Sequence, residues 1–376
     1  MNKRTVGILT VWQWICRQDN YGSLLQVYAL QQVLKMMGYN PIVLRCASDK
    51  EEAFREELKP PFYYWLKSLF SSNKKRRRAI ERYFQTRHPR HFMAFAQKHL
   101  NLSPFNFALD DFENIDLRKL DALVVGSDQV WLSPHPAYFC ASTLQPSLRI
   151  GYAISNNWST ANTFKETFRK LNHHLTALAL REKEGVEACH TLGRLDAEWV
   201  LDPTLLLLKA DWKALCDTTR VPQGDIASYM VNEFPKTLQK QLDQYATARN
   251  AICWKVGVQG AEGDLLRAKN TLWLSPQQWL AWMASSELVV TNSFHGLCFA
   301  ILFHRPFVAL CPPSKSPLRH LNLLSRVGLE NRLIQSLDEL DRIHNTPINW
   351  NDVDQRLEDA RIASKAFLSD ALSPLN

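Results

Sequence analysis

The sequence predicts an α/β protein made of two Rossmann-like domains that face each other across a cleft. Strand-like apolar runs alternate with helix-like runs along most of the 376 residues, which is the pattern of parallel βαβ units. The chain is long enough for two domains that each bury a core of their own. The polar stretch Cys216–Asp225 (CDTTRVPQGD) is the best candidate for the linker between them.

The N-terminal domain is predicted over residues 1–215. Residues from about 50 to 112 break the alternation of strands and helices, and they predict a helical insertion in this domain. The strand candidates on either side of the insertion are Thr5–Val11, Pro41–Arg45, Asp121–Val125, Leu148–Ile154 and Leu175–Leu180.

The C-terminal domain is predicted over residues 222–345, where the alternation is more regular. Its strand candidates are IASYMV, AICWKVG, TLWL, ELVVT and PFVAL, and its helices start near Pro235, Pro276, His295 and Pro317. Residues 346–376 predict a helical tail.

Composition favours a soluble globular protein, because 46% of the residues are hydrophobic and 22% are charged. No run approaches the roughly 20 apolar residues that cross a bilayer, and the N-terminus lacks a signal-peptide pattern. We therefore expect a cytoplasmic protein. The eight cysteines include no CxxC pair, so neither a zinc site nor a disulfide framework is indicated, and we expect no metal.

Positive charge is concentrated between Lys74 and Arg90, where eight basic residues accompany one acid, Glu81. The run follows PFYYWLKSLF, and aromatic residues next to basic ones are typical of a helix that lies on an anionic membrane. The segment Phe62–Arg78 is thus a candidate for peripheral contact with the inner face of the membrane. The alternative is a solvated basic helix that follows a core segment. Nucleic-acid binding is not expected, because no motif for it is present.

A first candidate motif, Asn20-Tyr21-Gly22, separates the first strand from a long apolar helix. In parallel sheets this junction lies at the carboxyl edge, where ligands bind near helix N-termini. Gly22 would let a ligand approach the backbone, and Asn20 can cap the helix. The motif could equally be a cap without any role in binding.

A second candidate motif, DALVVGSDQVWL, ends an apolar strand in polar residues. These are Ser127, Asp128 and Gln129, and Trp131 follows closely. Polar groups beside a flat aromatic wall suit a sugar ring, so we predict contact with a glycan acceptor. The alternative is a turn with Trp131 in the core.

A third candidate motif, ELVVTNSFHGLCFAILF, delivers Asn292, Ser293 and His295 from a buried strand to the first turn of a helix. Gly296 permits close packing there. The helix dipole favours a neutral histidine at this point, whereas a bound anion favours the charged form, so His295 is a candidate for a tunable acid.

These stretches resemble the polysaccharide pyruvyltransferases. The resemblance comprises NYGSLLQVYALQQVLKMMGY, LVVGSDQVW, LALREKEGVEACHTLG followed by VLDPTLLL, and VVTNSFHGLCFAILFHRPFVAL followed by LRHLNLLSRVGLENRLI. Only the basic insertion and the C-terminal tail fall outside it. The resemblance implies a glycosyltransferase-B-like fold, and transfer of pyruvate from phosphoenolpyruvate to a sugar as a ketal, with an acceptor that is often lipid-linked.

The resemblance also implies roles for individual residues. Phosphoenolpyruvate is the co-substrate and no other cofactor is expected; His295 matches the catalytic histidine, and Arg181 matches a donor-binding arginine. Asn292, Ser293 and Gly296 accompany them on the donor side. Asp128 is either the base for a sugar hydroxyl or a hydrogen-bonding group, and Arg181 could instead pair with Glu182 or Glu184 on a surface turn. The acceptor side comprises Asn20, Tyr21, Gly22, Ser127, Gln129 and Trp131.

One position departs from the pattern of this family, in which an arginine stands two residues before the histidine. Ser293 occupies that position here, and Lys315 or Arg319 could supply the missing charge. Two alternatives remain: an enzyme that uses a nucleotide-sugar donor on the same architecture, and a non-catalytic subunit of a polysaccharide assembly machine. The oligomeric state is not predicted.

Overall fold

The computed structural model contains two parallel β-sheets with helices packed against them. It describes residues 3–11, 20–47, 59–72, 75–76, 79–80, 83, 86–156, 158, 162–231, 236–256, 270–311 and 316–375. The two-domain α/β architecture predicted from the alternation of strands and helices is confirmed. No helix among these residues is both long and apolar enough to cross a bilayer.

The first sheet has seven strands in the order β3-β2-β1-β4-β5-β6-β7, all parallel. Its strands are β1 (Thr5–Leu9), β2 (Asn40–Ala47), β3 (Leu102–Ala108), β4 (Ala122–Val125), β5 (Leu148–Ile154), β6 (Ala177–Leu180) and β7 (Glu198–Trp199). Every residue of β4 is buried, as expected for a central parallel strand that is covered on both faces.

The second sheet has six parallel strands in the order β10-β9-β8-β11-β12-β13. They are β8 (Ile226–Tyr229), β9 (Cys253–Val256), β10 (Thr271–Leu272), β11 (Leu288–Thr291), β12 (Phe307–Leu310) and β13 (Leu333–Ile334). In both sheets the order of strands reverses at the centre, between β1 and β4 and between β8 and β11. Such switch points leave a crevice at the carboxyl edge, where ligands bind.

The helices connect successive strands. Those of the first half are α1 (Tyr21–Met36), α2 (Pro61–Leu69), α3 (Phe92–His99), α4 (Asn162–Leu171), α5 (Lys183–Thr191) and α6 (Lys209–Lys213). Those of the second half are α7 (Lys236–Thr247), α8 (Pro276–Ser285), α9 (Phe294–Leu302), α10 (Leu318–Val327), α11 (Leu340–Asn345) and α12 (Trp350–Leu372).

The structure corrects the extent of the helical insertion predicted over residues 50–112. Residues 102–108 form β3, an edge strand of the first sheet. In the sequence, Pro104 argues against a strand here. Proline is nevertheless tolerated in an edge strand, because the N–H that it lacks is not needed for pairing there. Strands β7 and β13 were also missed, since two residues are too few to show a period.

Within the predicted tail, residues 350–372 form α12, which packs back against the first half of the chain. Ser364 of α12 accepts a hydrogen bond from the backbone N–H of Leu201 at 2.9 Å, and Arg361 donates to the carbonyl of Leu205 at 2.9 Å. Phe367 packs beside Tyr152 of β5. The tail therefore links the two domains rather than extending away from them.

Direct contacts between the domains hold the two carboxyl edges together. Tyr21 at the start of α1 stacks on Trp279 of the second domain, with ring centroids 5.0 Å apart, and its hydroxyl donates to the carbonyl of Leu274 at 2.7 Å. Asn322 donates to Glu184 at 2.6 Å. These contacts bring the ends of β4 and β11 to the same crevice.

Candidate active site

A cleft of about 450 Å³ lies between the domains and is lined from both of them. Seven residues predicted from the sequence line it: Asn20, Asp128, Gln129, Asn292, Ser293, His295 and Arg319. They follow β4 and β11, or lie at the start of α1 and of α10. Helix α1 begins as predicted, with Asn20 accepting a hydrogen bond from the N–H of Ser23 at 3.2 Å.

His295 lies in the first turn of α9 and packs against Gly22 of the other domain. A Cβ atom added to Gly22 would lie 2.1 Å from the Nδ1 atom of His295, closer than any real contact. The glycine is therefore required by the histidine, and the prediction that Gly22 makes room for a ligand does not fit this placement. The Nε2 atom of His295 lies 3.5 Å from Oδ2 of Asp202, too long for a good hydrogen bond.

The residues around His295 fix the turn between β11 and α9. The side chain of Asn292 accepts from the N–H of Val231 at 2.7 Å and donates to its carbonyl at 3.1 Å. Ser293 caps α9 by accepting from the N–H of Gly296 at 3.3 Å. A Cβ atom on Gly296 would lie 2.4 Å from Oγ1 of Thr291, so its predicted role in close packing agrees with the structure.

Arg181 lies behind the cleft at the end of β6, where its guanidinium faces three carboxylates. Its Nη1 donates to Asp202 at 2.7 Å, its Nε lies 3.4 Å from Glu182, and its Nη2 lies 3.5 Å from Asp128. The guanidinium also stacks 4.0 Å from the centre of the Phe294 ring. Arg181 is 4% exposed and does not line the cleft, so the predicted direct contact with a donor does not fit this arrangement.

The ionised forms of this cluster support one another. Burial alone would raise the pKa of Asp202, but His295, Arg181 and the backbone N–H of Thr204 hold it below its ordinary value. Burial alone would lower the pKa of Arg181, but Asp202, Glu182 and Asp128 raise it above its ordinary value. Arg181 and Asp202 therefore stay charged although they are buried.

Asp128 connects this cluster to the cleft. It follows β4 with a φ of +67°, a left-handed conformation that aspartate tolerates better than most residues. Its Oδ2 accepts from the hydroxyl of Ser23 at 3.2 Å, and it lines the cleft while Arg181 lies behind it. One carboxylate is thus available to a hydroxyl group in the cleft.

Arg319 and His320 lie at the start of α10, in the second domain, and line the cleft. Asp128 lines the cleft from the first domain. Among the residues that the structure describes, Arg319 is the one arginine or lysine that lines the cleft, and no hydrogen bond or ion pair occupies its guanidinium. Burial and the nearby charge of Arg181 lower the pKa of Arg319. Lys315, the other predicted source of charge, lies outside the described residues.

Besides Gly22, three residues predicted on the acceptor side are buried and form no wall of the cleft. Trp131 is fully buried, stacks on Phe139 at 4.8 Å, and belongs to the core, which was the alternative interpretation. Ser127 is fully buried and donates to Gln26 at 2.9 Å. Tyr21 is equally buried, between the two domains.

Sequence reasoning missed three residues of this region: Trp158, Asp202 and His320. Trp158 lines the cleft and donates from its indole N–H to Glu182 at 3.0 Å, so it offers the aromatic wall that Trp131 does not. Asp202 carried one signal, since an aspartate before Pro203 often caps a turn, and it does accept from the N–H of Thr204 at 3.0 Å. His320 stands next to Arg319 and carried no separate signal.

Solved structures with a similar fold include two UDP-N-acetylglucosamine 2-epimerases. The UDP-GlcNAc 2-epimerase of Methanocaldococcus jannaschii, in complex with UDP-GlcNAc and UDP, aligns with a TM-score of 0.57 and 12% identity over 96% of this chain and 99% of that one. The UDP-N-acetylglucosamine 2-epimerase of Rickettsia bellii aligns with a TM-score of 0.54 and 8% identity over 99% and 97%. The fold is therefore of the glycosyltransferase-B type, as predicted.

Comparison of sequences identifies the family. No curated protein sequence is detectably similar to this chain. The family model described as polysaccharide pyruvyl transferase matches residues 20–310, a span that includes Asp128, Arg181, Asp202 and His295. The chain belongs to the polysaccharide pyruvyl transferase family.

Proposed function

We propose that the protein transfers pyruvate from phosphoenolpyruvate to a sugar of a cell-surface polysaccharide, or of its lipid-linked precursor, and forms a pyruvyl ketal. Membership of the family supports pyruvyl transfer in general. The observation that carries the finer proposal is that Arg319, a cation with no partner in the described part of the chain, shares one cleft with a histidine and a carboxylate, His295 and Asp128.

The donor would bind on the side of the second domain. Phosphoenolpyruvate carries a phosphate and a carboxylate, which guanidinium groups and helix N-termini bind well. Arg319 supplies the guanidinium, and the first turn of α9 supplies the helix N-terminus next to Ser293. Arg319 lines the same cleft as Ser293, the position at which members of the family that the sequence resembles have an arginine.

The chemistry requires an acid and a proton acceptor. His295 protonates the terminal carbon of the enol, which leaves an oxocarbenium-like centre that a sugar hydroxyl attacks. Asp128 accepts a hydrogen bond or a proton from that hydroxyl. Asn20, Gln129 and Trp158 lie in the same cleft and would contact the sugar. Arg181 and Asp202 are positioning residues whose charges face Asp128 and His295.

Arg319→Gln should raise the KM for phosphoenolpyruvate roughly ten- to a hundredfold, because it removes a charged hydrogen-bond donor worth about 1.5–3 kcal/mol. The KM for the sugar acceptor should stay close to that of the parent. Initial-rate kinetics with each substrate varied in turn measures both values. Arg118→Gln is the matched control, since Arg118 is exposed, pairs with Asp116 and does not line the cleft. An equal rise in both KM values would show that Arg319 does not hold the donor.

A nucleotide-sugar donor is the second candidate function, and one observation favours it. The neighbour from M. jannaschii, which has the same fold, is described in complex with UDP-GlcNAc and UDP. Thermal shift separates the candidates, because a ligand that binds only the folded state raises the melting temperature. Stabilisation by phosphoenolpyruvate but not by UDP supports pyruvyl transfer, and the reverse supports the glycosyltransferase. A protein that neither donor stabilises would favour a non-catalytic subunit.

We further propose that helix α2 holds the enzyme at an anionic membrane surface, where a lipid-linked acceptor would be found. Of its nine residues only Tyr64 and Ser68 are buried. Phe62 is 67% exposed and Phe70, directly after the helix, is 84% exposed. The remaining exposed apolar residues of the segment are Tyr63, Trp65, Leu66 and Leu69. An apolar helix surface beside a basic run suits the boundary between headgroups and acyl chains.

The protein should bind vesicles that contain anionic lipid at low salt and dissociate from them at high salt. Five consecutive basic residues, Lys74–Arg78, would contribute about 1 kcal/mol each near such a surface, and salt screens this attraction. Replacing all five by Gln should abolish binding in a sedimentation assay without changing turnover on a short soluble acceptor. The membrane proposal fails if the parent does not bind these vesicles, or if the Gln variant loses turnover on the soluble acceptor.

A further inference from the structure

We propose that His320 is a second proton acceptor of the active site, and that its Nδ1 atom receives the proton of one attacking hydroxyl of the glycan acceptor. The inference deepens the proposed function and rests on it. His320 lies in the first turn of α10, is 5% exposed, and lines the cleft that also contains His295, Asp128 and Arg319.

The surroundings of His320 fix its tautomer. Its Nε2 atom lies 3.1 Å from the backbone carbonyl oxygen of Asn292. A carbonyl oxygen only accepts hydrogen bonds, so Nε2 carries the hydrogen and the lone pair of the neutral ring lies on Nδ1. The side chain of Asn292 is itself held by two hydrogen bonds to Val231, which keeps that carbonyl in place. The ring is therefore anchored at one nitrogen and basic at the other.

The Nδ1 atom of His320 is buried and has no hydrogen-bond partner among the residues that the structure describes. A buried acceptor without a donor is unfavourable, and native structures rarely tolerate one without a functional reason. Because the residue lines the cleft, a hydroxyl group of a bound ligand would provide the missing donor. A sugar hydroxyl can donate this hydrogen bond. The phosphate and the carboxylate of the donor cannot, because at neutral pH they only accept hydrogen bonds.

Burial and the nearby positive charges keep the ring of His320 neutral. Burial, the adjacent guanidinium of Arg319 and the more distant Arg181 lower the pKa of His320 to about 4, against the opposing effect of the Asn292 carbonyl. The ring is thus unprotonated throughout the physiological range and can accept a proton there. When an anionic donor pairs with Arg319, part of this repulsion is removed, so the ring becomes more basic once the donor has bound.

The proton balance of ketal formation calls for a second acceptor. Two sugar hydroxyls each form a C–O bond to the same carbon of pyruvate, the C–O bond to phosphate breaks, and both hydroxyl protons are released. One proton replaces the one that His295 gave to the methyl carbon, and the other leaves on the phosphate. Asp128 accounts for one of the two hydroxyls. His320 would accept the proton of the other and pass it to the departing phosphate, which Arg319 holds next to it.

Two substitutions separate this role from a structural one. In His320→Gln the amide N–H takes the place of Nε2–H and keeps the bond to Asn292, but the acceptor at Nδ1 is lost. In His320→Asn a polar atom remains near the position of Nδ1, but the side chain is too short to reach Asn292. We expect the Gln variant to melt like the parent while its kcat falls about a hundredfold, with the KM for phosphoenolpyruvate unchanged. A purely structural role predicts instead that the Gln variant keeps full turnover and that the Asn variant has a lower melting temperature.

A measurement that does not depend on turnover completes the test. Nitrogen NMR of the imidazole in the parent should show the form with hydrogen on Nε2 at neutral pH. Inorganic phosphate should raise the pKa of His320, and this effect should disappear in Arg319→Gln. Hydrogen on Nδ1, or full turnover of His320→Gln in a preparation whose parent consumes phosphoenolpyruvate, would overturn the role of His320 alone. A parent that consumes no phosphoenolpyruvate would overturn the proposed function and this role with it.

Discussion

His295→Ala should lose about 10²- to 10⁴-fold in turnover, the usual cost of removing a general acid. The imidazole lies in the first turn of α9 between Gly22 and Asp202 and lines the cleft. Its loss should leave the fold intact, because Asp202 keeps Arg181 and Thr204 as partners. Phosphate release under saturating donor and acceptor measures turnover, and thermal melting measures folding.

A second variant controls for the small cavity that alanine would leave at this position. His295→Gln fills most of the volume but cannot deliver a proton as an acid, so it should be as inactive as His295→Ala. Full turnover in either variant would end the assignment of His295 as the acid. Equal loss of melting temperature and activity in both would show that the residue is needed for the fold.

Arg181→Ala should cost about 3–5 kcal/mol in the free energy of unfolding, since it leaves buried carboxylates without their cation. The side chains of Asp202 and Glu182 are fully buried, and the guanidinium is their shared partner. Urea denaturation measures the loss. Arg118→Ala is the matched control, because the ion pair of Arg118 with Asp116 is exposed and its loss should change the free energy of unfolding far less.

The outcome also decides between two roles of Arg181. A variant as stable as Arg118→Ala, with a selectively raised KM for phosphoenolpyruvate, would restore the donor-binding role predicted from the sequence. A strongly destabilised variant is what the buried cluster predicts, because the arginine then holds Asp128 and Asp202 rather than the donor.

The edge of the sheets where the site lies could be predicted from the sequence. Buried parallel strands appear in a sequence as short apolar runs. Polar residues directly after such runs lie at the carboxyl edge of the sheet. Asp128 after β4 and His295 after β11 were placed in this way, and both line the cleft. Arg319 was proposed from a missing charge at Ser293, and it lines the same cleft.

The partners of these residues could not be predicted in the same way. Whether an aromatic residue after a strand faces the cleft or the core depends on packing from distant elements: Trp131 packs into the core, whereas Trp158 lines the cleft. Arg181 has the sequence of an exposed turn, yet Asp202 and Asp128 surround it. Gly22 looks like a site for a ligand because the sequence cannot show that His295 of the other domain occupies the space beside it.

The most direct test of the account is to follow phosphate release and glycan modification together, with purified protein, phosphoenolpyruvate and a panel of lipid-linked and model glycosides that carry pairs of free hydroxyls. The account predicts one phosphate released for each pyruvyl ketal, seen as a new methyl signal in proton NMR and a mass gain of one pyruvate less one water, with both products absent in His295→Ala. Phosphate released without a ketal, or a glycosyl group transferred from a nucleotide sugar while phosphoenolpyruvate remains unconsumed, would contradict it.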